Sequence, residues 1–225
     1  MKVIKLFIIY VLATIAPTSS FAAGSPQNIK VVVFGDSLVS GYQLEDEYSF
    51  KNTLERKLKE ENFHNISLYN GSSDGQATNI AYSRIDTVIR LKPNIVIIAL
   101  GSNDAFNNVP LQQIQNYLDA IIQKFHNYKI RVLLAGVKMP EGAKEEYRKK
   151  MEGMYNFFQR KYKLILYPNL LEGVYGNPDN VLEDGVHPNE QGTKVMVDNV
   201  FPHLRKLLSR EIRDCVRKKR MEKDC

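Results

Sequence analysis

Two segments near opposite ends of the chain contain the residue types that nucleophilic catalysis requires. Ser37 lies in "FGDSLVSGY", and Asp184 and His187 lie three residues apart in "LEDGVHPNEQG". A serine hydroxyl is a weak nucleophile until a base removes its proton, and that base needs a carboxylate to fix its tautomer and stabilise the imidazolium. The three residues therefore predict a Ser–His–Asp catalytic triad in which the fold joins the two segments.

Each segment by itself also has a simpler interpretation. A glycine-rich turn after a first strand can cradle a phosphate instead of presenting a nucleophile. His187 can be a surface-loop histidine, and Asp184 can cap the helix that follows. The remaining histidines favour the catalytic interpretation, because they fall in or beside predicted helices and away from strand ends: His64, His126 and His203.

Two further segments offer hydrogen-bond donors for the oxyanion that acyl transfer creates. Each such donor typically lowers the barrier by ~3 kcal/mol. "NGSSDGQAT" places Gly75 at a predicted helix start, where backbone N–H groups are unpaired, and "ALGSNDAF" supplies the side-chain amide of Asn103. Turn flexibility alone would account for Gly75, and a turn or helix cap would account for Asn103. Because Ser37, Gly75 and Asn103 follow three successive predicted strands, we favour a shared site.

Five short apolar runs rich in β-branched residues alternate with longer segments of helical period. Strands are predicted over 29–34, 66–69, 95–100, 130–134 and 164–167, and helices over 48–62, 77–91, 110–128, 144–162 and 189–208. This alternation predicts a three-layer α/β/α fold with a five-stranded, doubly wound parallel sheet of flavodoxin-like order. In such sheets ligands bind beyond the carboxyl ends of the strands, where the candidate residues fall.

The first residues have the pattern of a secretory signal. Lys2 and Lys5 precede an apolar run over 6–16, and small residues surround Ala22. The run is shorter than the ~20 apolar residues of a spanning helix. We therefore predict a signal peptide at 1–22, export across the inner membrane and a periplasmic location. The remainder is expected to form one hydrolase domain at 23–208 and a basic tail at 209–225.

The net charge of +6 is concentrated in that tail. Residues 203–225 hold nine Lys or Arg against four Asp or Glu, and once the signal is set aside about −1 remains for 23–202. The domain therefore lacks the basic excess of a nucleic-acid-binding protein. Helical apolar spacing in the tail allows contact with anionic lipid or a partner, whereas a solvated charged helix end is the favoured interpretation. Cys215 and Cys225 either pair with each other, pair with another chain or remain two solvated thiols, and they are too few for a metal site.

Four blocks, "GDSLVSG", "NGSSDGQAT", "LGSND" and "DGVHPN", resemble in order and separation those of the SGNH or GDSL hydrolases, over about residues 29–205. The resemblance implies that Ser37 is the nucleophile and that Asp184 and His187 complete the triad. It also implies three oxyanion donors, namely the Ser37 amide, the Gly75 amide and the Asn103 side chain. No cofactor or metal is expected.

The roles of some residues within and near these blocks are open to more than one interpretation. Gly71 is a second glycine of the second block, but Gly75 fits the spacing to the following helix better. Ser102 stands where similar proteins often have glycine, and its side chain is expected to alter the approach to substrate. Phe106, Val109 and Met139 are candidates for an acyl pocket, and for each one a packing role is slightly favoured.

Within that family, the first and last blocks are most similar to bacterial periplasmic arylesterases, thioesterases and lysophospholipases. This implies a serine hydrolase of broad substrate range that acts through an acyl-enzyme. Its expected substrates are small acyl esters, lipid esters and thioesters such as acyl-CoA. A carbohydrate O-deacetylase would share the triad. A non-catalytic flavodoxin-like binding module would leave the spacing of Asp184 and His187 unexplained, and a structural or membrane-surface role through the tail is the weakest alternative. The sequence does not specify an oligomeric state.

Overall fold

The computed structural model describes residues 28–139 and 144–223. The predicted signal peptide at 1–22 lies outside these residues, and so does Cys225, one of the two cysteines of the alternative disulfide. Five parallel strands form one sheet in the order β2-β1-β3-β4-β5. The strands are β1 (Ile29–Gly35), β2 (Ile66–Asn70), β3 (Ile95–Ala99), β4 (Arg131–Ala135) and β5 (Ile165–Tyr167). This is the predicted flavodoxin-like order of a doubly wound sheet.

Helices cover both faces of the sheet. They are α1 (Ser37–Ser40), α2 (Phe50–Glu60), α3 (Thr78–Arg90), α4 (Ser102–Phe106), α5 (Leu111–Asn127), α6 (Glu145–Tyr162) and α7 (Glu190–Lys223), with 3-10 turns at Asp46–Tyr48 and Pro178–Asn180. The short helices α1 and α4 were not predicted, because one turn is too short to show a period. The predicted strand ends agree with the structure to within two residues, as do those of the four longer helices α2, α3, α5 and α6.

The central strands are apolar on both sides because both sides are covered. In β1, Val31 and Val33 pack with α2 and α7, whereas Val32 and Phe34 pack with α3, α5 and α6. Side chains of a strand point alternately to opposite faces, so a strand between two helical layers has no polar positions. This explains why the strands read as continuous apolar runs in the sequence.

The last helix is longer than the sequence predicted. It begins at Glu190 as expected but continues to Lys223, whereas apolar periodicity predicted an end at 208. Two interactions hold the additional turns against the sheet: the Arg131 guanidinium forms ion pairs with Glu211 and Asp214, and the Asn94 amide donates to Glu211 over 2.9 Å. Polar contacts therefore extend a helix whose apolar pattern ends earlier. Among the described residues, no helix has the length and apolarity needed to cross a bilayer.

The parallel sheet gives the molecule two distinct edges. All five strands end at one edge, and the loops 36–49, 71–77, 100–110, 136–139 and 168–189 follow them there. All five strands begin at the opposite edge, which the short loops 61–65, 91–94, 128–130 and 163–164 reach. We call these the C-terminal and N-terminal edges of the sheet. The candidate residues lie at the C-terminal edge, where doubly wound sheets bind ligands.

Candidate active site

The turn after β1 presents Ser37 at the C-terminal edge. Asp36 caps the short helix α1, because its Oδ1 accepts a hydrogen bond of 3.1 Å from the Leu38 amide. Gly35 is required for space: a Cβ there would lie 2.6 Å from the Ala99 carbonyl oxygen. Its φ is not among the positive values, so close packing of β1 on β3, rather than a need for backbone freedom, explains this glycine. Ser37 itself stays partly exposed as the first residue of α1.

The loop after β5 brings the acid and base to this serine. The Nε2 of His187 lies 2.9 Å from Ser37 Oγ, and its Nδ1 lies 2.6 Å from Asp184 Oδ2. The other carboxylate oxygen of Asp184 accepts the backbone N–H groups of Val186 and His187, each at 2.9 Å. The structure thus places the three residues predicted from the sequence in one hydrogen-bonded chain, although Ser37 and His187 are 150 positions apart.

Local features explain the shape of the loop that carries His187. Val181 and Pro188 form an antiparallel bridge, and the Leu182 amide donates to the His187 carbonyl over 2.8 Å. Gly185 has a φ of 71°, a left-handed conformation that glycine adopts without strain. The loop is therefore a small closed hairpin, and its rigidity sets the direction of the imidazole.

Electrostatic and packing contacts favour one state of the imidazole. Burial raises the pKa of Asp184, but hydrogen bonds from the amides of Val186 and His187 and from the imidazole outweigh it, so that the pKa lies below its usual value. An ionised Asp184 keeps the proton of a neutral His187 on Nδ1, which leaves Nε2 as the acceptor that faces Ser37. The Tyr42 ring packs on the imidazole with 4.4 Å between centroids, which covers one side of His187.

The second block provides one backbone donor near this serine. Gly75 has a φ of 64°, and open space surrounds its Cα. Within the described part of the chain its N–H meets no acceptor. The N–H of Gly71, in contrast, donates to the Val33 carbonyl over 2.7 Å and extends the pairing of β1 with β2. Gly75 is therefore the better candidate for an oxyanion donor, and its role stays a prediction.

The third block is tied to the nucleophile turn through Asp36. This carboxyl group is fully buried and accepts hydrogen bonds from the Ser102 hydroxyl and the Leu38 amide. Burial raises the pKa of Asp36 to about 6, although hydrogen bonds from Ser102, Leu38 and the side chain of Asn103 oppose that rise. The Ser102 hydroxyl thus points toward Asp36. Its effect on the approach to substrate stays a prediction. Asn103 is held by the same carboxylate.

Sequence reasoning missed a second buried carboxylate, that of Asp104. Its two oxygens accept the Thr78 hydroxyl at 2.6 Å and the Thr78 amide at 2.9 Å, so Asp104 caps α3 from the neighbouring helix α4. The residue is 2% exposed. Because Asp104 adjoins Asn103 and Thr78 follows the Gly75 turn, this contact fixes the two candidate donor segments relative to each other. The apolar residue at the helix start, Ala77, was the available signal, since α3 has no side-chain cap of its own.

The three pocket candidates differ in their surroundings. Val109 and Met139 are partly buried and pack against the core beneath α3, α5 and α6. Phe106, at the end of α4, is 83% exposed. Val109 and Met139 thus make the packing contacts that the sequence analysis favoured. Phe106 is the member of this group with apolar surface open to solvent beside the Asn103 turn.

Comparison with known proteins identifies the family of the chain. A family model described as the GDSL-like Lipase/Acylhydrolase family matches residues 33–195. Esterase TesA of Pseudomonas aeruginosa is 28% identical over 179 residues, which are 79% of this chain and 89% of that protein. An arylesterase of Vibrio mimicus is 27% identical over 188 residues, which are 83% of this chain and 94% of that protein. A crystal structure of TesA superposes with a TM-score of 0.76 at 27% identity, over 79% of this chain and 99% of that one.

The matched region contains both halves of the hydrogen-bonded chain at the C-terminal edge, since it includes the turn at Ser37 and the loop at His187. The fold agrees with that of its structural relatives, and two relatives identified by sequence are named esterase and arylesterase. A third, from Escherichia coli, is named thioesterase 1/protease 1/lysophospholipase L1. A non-catalytic flavodoxin-like module is thereby excluded. The protein belongs to the GDSL-like lipase and acylhydrolase family, and it is a serine esterase.

Proposed function

We propose that Ser37 is the nucleophile of this esterase, that His187 is its general base and acid, and that Asp184 holds the imidazole. The observation that carries the proposal is the unbroken chain of contacts, 2.9 Å from Ser37 Oγ to His187 Nε2 and 2.6 Å from His187 Nδ1 to Asp184. These are the distances at which a base can take a hydroxyl proton. Tyr42 shields the imidazole from one side and favours this orientation.

The reaction proceeds in two halves. His187 Nε2 takes the Ser37 proton while Oγ forms a bond to the ester carbonyl carbon, and the carbonyl oxygen becomes an oxyanion. The bond to the alcohol then breaks, and the alcohol leaves with the proton from His187. Water repeats the sequence on the acyl-enzyme and releases the acid and the free serine. The chemistry needs only side chains and backbone amides.

Three donors are proposed for the oxyanion: the amides of Ser37 and Gly75 and the side chain of Asn103. The unpaired Gly75 N–H and its left-handed φ support its part, since a donor already bound within the protein cannot turn to a ligand. The Asn103 amide has two N–H groups, and a hydrogen bond from one of them to Asp36 leaves the second for substrate. Asp36 is in this scheme a positioning residue.

The proposed substrates are uncharged esters of small acyl or aryl groups. Phe106 offers exposed apolar surface beside the site, and relatives of this chain are named esterase and arylesterase. The loops at the C-terminal edge carry an excess of carboxylates, including Glu45, Glu47 and Glu183. Such a field disfavours a multiply anionic leaving group such as coenzyme A. Thioesters of coenzyme A are accordingly expected to react more slowly than uncharged esters.

A periplasmic location is part of the proposal. It is supported by the secretory pattern of residues 1–22, with two lysines before an apolar run and small residues near Ala22. The hydrolase domain is proposed to begin at 23 and the basic tail at 209. Contact between that tail and anionic lipid is likewise a proposal.

Replacement of Ser37 tests the assignment. Ser37→Ala should lower the kcat for p-nitrophenyl butyrate roughly a thousandfold or more, with an unchanged unfolding transition, because the nucleophile is lost and the packing is not. Ser83→Ala is the matched control, since Ser83 is exposed on α3 and its hydroxyl bonds only the Ile80 carbonyl. A fluorophosphonate should label the parent protein at Ser37. Full activity of folded Ser37→Ala, or labelling elsewhere, would refute the proposal.

A further inference from the structure

The two edges of the sheet carry opposite charge. In the described loops of the C-terminal edge the basic residues are Lys138 and Lys144. The acidic residues of the same loops are Asp36, Glu45, Asp46, Glu47, Asp74, Asp104, Glu172, Asp179, Glu183 and Asp184. The edge that contains the catalytic chain is therefore strongly acidic.

The N-terminal edge is basic. Three exposed lysines lie in the loops that lead into β3, β4 and β5, and five exposed basic residues lie on the last turns of α7. We call this set the basic edge; it consists of Lys92, Lys129, Lys163, Arg210, Arg213, Arg217, Lys218 and Arg220. The sequence alone showed the charge of the tail, but it did not show that the tail lies at the same edge as the lysines of the loops.

The course of α7 brings the basic tail to the same edge as the loop lysines. The helix starts three residues after His187, at the acidic edge, and its Glu211 contacts Asn94 and Arg131 at the starts of β3 and β4. Its 34 residues span about 50 Å. The helix thus crosses from one edge to the other, and its basic end projects on the side away from the catalytic serine.

The described carboxylates at this end of α7, Glu211 and Asp214, are directed mainly to Arg131. Glu211 and Asp214 both pair with Arg131, and Asp214 also lies 3.4 Å from Arg217. A lysine at the C-terminal end of a helix interacts favourably with the helix dipole, and this interaction is enough to explain the presence of Lys92, Lys129 and Lys163. It does not account for the arginines, which continue past the last contacts of α7 with the sheet.

The exposed end of α7 also has an apolar component. Arg213, Arg217 and Arg220 are four and three residues apart, so they share one helix face. Beside them Ile212 is 40% exposed and Val216 is 62% exposed. Basic residues next to exposed aliphatic side chains are typical of helices that lie at the boundary between lipid headgroups and acyl chains. A nucleic acid would use the charges but would leave the aliphatic side chains in water.

We propose that the basic edge docks on an anionic phospholipid surface and that the catalytic serine then faces away from that surface. The acidic C-terminal edge opposes the reverse orientation, because like charges repel across the headgroup layer. The chain also enters the fold on the docking side, since β1 begins at Ile29. The esterase would therefore act on esters that arrive from the aqueous side, not on lipids of the membrane beneath it. The orientation of the catalytic site in this inference rests on the proposed function of Ser37, whereas the docking of the basic edge does not.

Vesicle sedimentation tests the docking surface. The purified protein should bind vesicles of phosphatidylcholine and phosphatidylglycerol at low salt, and it should not bind phosphatidylcholine alone. Reversal of three charges, Arg213→Glu, Arg217→Glu and Arg220→Glu, should reduce partitioning about a hundredfold or more. The matched control reverses three exposed charges away from the basic edge, Lys149→Glu, Lys150→Glu and Lys194→Glu, and should bind as the parent does. Equal losses in both variants would mean that net charge, not the basic edge, governs binding and would overturn the proposal.

Fluorescence tests the orientation, because the chain contains no tryptophan. A single Val216→Trp probe should be quenched by brominated lipid in anionic vesicles, whereas a single Phe106→Trp probe should not. Hydrolysis of soluble p-nitrophenyl acetate by the Val216→Trp protein should be unchanged when it is bound. Quenching of Phe106→Trp but not of Val216→Trp would overturn the proposed orientation. Tighter binding to a DNA duplex than to anionic vesicles, at the same salt, would overturn the choice of lipid.

Discussion

At the scale of single residues, the site consists of an exposed set and a buried set. Ser37, His187 and Asp184 make the contacts expected of a nucleophile and its base. Beneath them Asp36 and Asp104 hold the loops that carry the candidate oxyanion donors. A buried carboxylate is costly unless it is hydrogen-bonded, and each of these two meets at least two donors. The buried pair is best understood as a device that positions Asn103 and the Gly75 turn.

Replacement of Asp36 by Asn should change stability and activity in opposite directions. Because the pKa of Asp36 is raised to about 6 by burial, its native form holds a proton more tightly than its unfolded form. The free energy of unfolding of the parent should therefore fall by roughly 3 kcal/mol from this group as the pH rises from about 4 to about 7. Asp36→Asn should lose this pH dependence and should be more stable than the parent at pH 8. Its kcat should be reduced tenfold or more, because Asn103 loses its anionic acceptor.

Denaturant titrations across pH, paired with kcat for a neutral ester, measure both effects of Asp36→Asn. Asp86→Asn is the control, since Asp86 is exposed on α3 and should leave the pH dependence of the parent intact. A variant that loses stability at pH 8, or that keeps the parent's kcat, would rule out the positioning role of Asp36.

At the scale of elements, the site depends on how helix starts meet strand ends. α1 follows β1 directly and is capped by Asp36, α4 follows the Gly101 turn after β3, and α3 is capped by Asp104 from α4. Gly101 has a φ of 112°, and a Cβ there would lie 2.6 Å from the Tyr155 hydroxyl. The positive φ and the close contact with Tyr155 thus both require glycine at position 101, so the loop after β3 has little freedom to move Asn103.

The cap on α3 should link helix stability to catalysis. Asp104→Ala leaves the buried amide and hydroxyl of Thr78 without an acceptor, which should lower the free energy of unfolding by about 2–3 kcal/mol. It should also reduce kcat, because the Gly75 turn and Asn103 lose their common anchor. Asp104→Asn retains an acceptor and should fall between the parent and Asp104→Ala in both respects. Urea unfolding measures the change in stability, and kcat in the absence of denaturant measures the change in activity.

Thr87→Val is the comparison for that series. Its hydroxyl bonds the Arg84 carbonyl on the exposed side of α3, so its removal should change stability by less than about 0.5 kcal/mol and leave kcat unaltered. If Asp104→Ala lost stability but kept full kcat, the cap would be purely structural.

At the scale of the whole molecule, charge is separated along the direction of the strands. The chain is basic overall, with a net charge of +6, yet its catalytic edge is acidic. This separation acts on any charged substrate before it reaches Ser37, because a field of one sign around a site changes the rate of encounter. It provides a physical basis for selection among esters that a triad alone does not provide.

Salt dependence should reveal that field. With rising ionic strength the kcat/KM for butyryl-CoA should increase severalfold, because screening weakens its repulsion from the acidic edge, while that for p-nitrophenyl butyrate should change less than about 1.5-fold. The double variant Glu45→Gln, Glu47→Gln should raise the low-salt value for butyryl-CoA and flatten its salt dependence. Identical salt responses of the two substrates would show that the acidic edge does not act on substrate.

The amino-acid sequence by itself determined the strands, the bounds of α2, α3, α5 and α6, the topology class and the three residues of the hydrogen-bonded chain, Ser37, Asp184 and His187. Those features follow from local periodicity and from the rule that parallel strands end at one edge, so windows of ten to twenty residues suffice. The end of α7 escaped this reasoning because ion pairs with Arg131, not apolar spacing, extend it.

Only the tertiary structure decided the contacts between distant segments. The approach of His187 to Ser37, the turn of the Ser102 hydroxyl toward Asp36, and the cap that Asp104 supplies to α3 each join residues 26 to 150 positions apart. The same holds for the basic edge, which combines loop lysines with the end of a helix about 50 Å long. Sequence spacing carries no information on such distances, since they are set by how helices pack across the sheet.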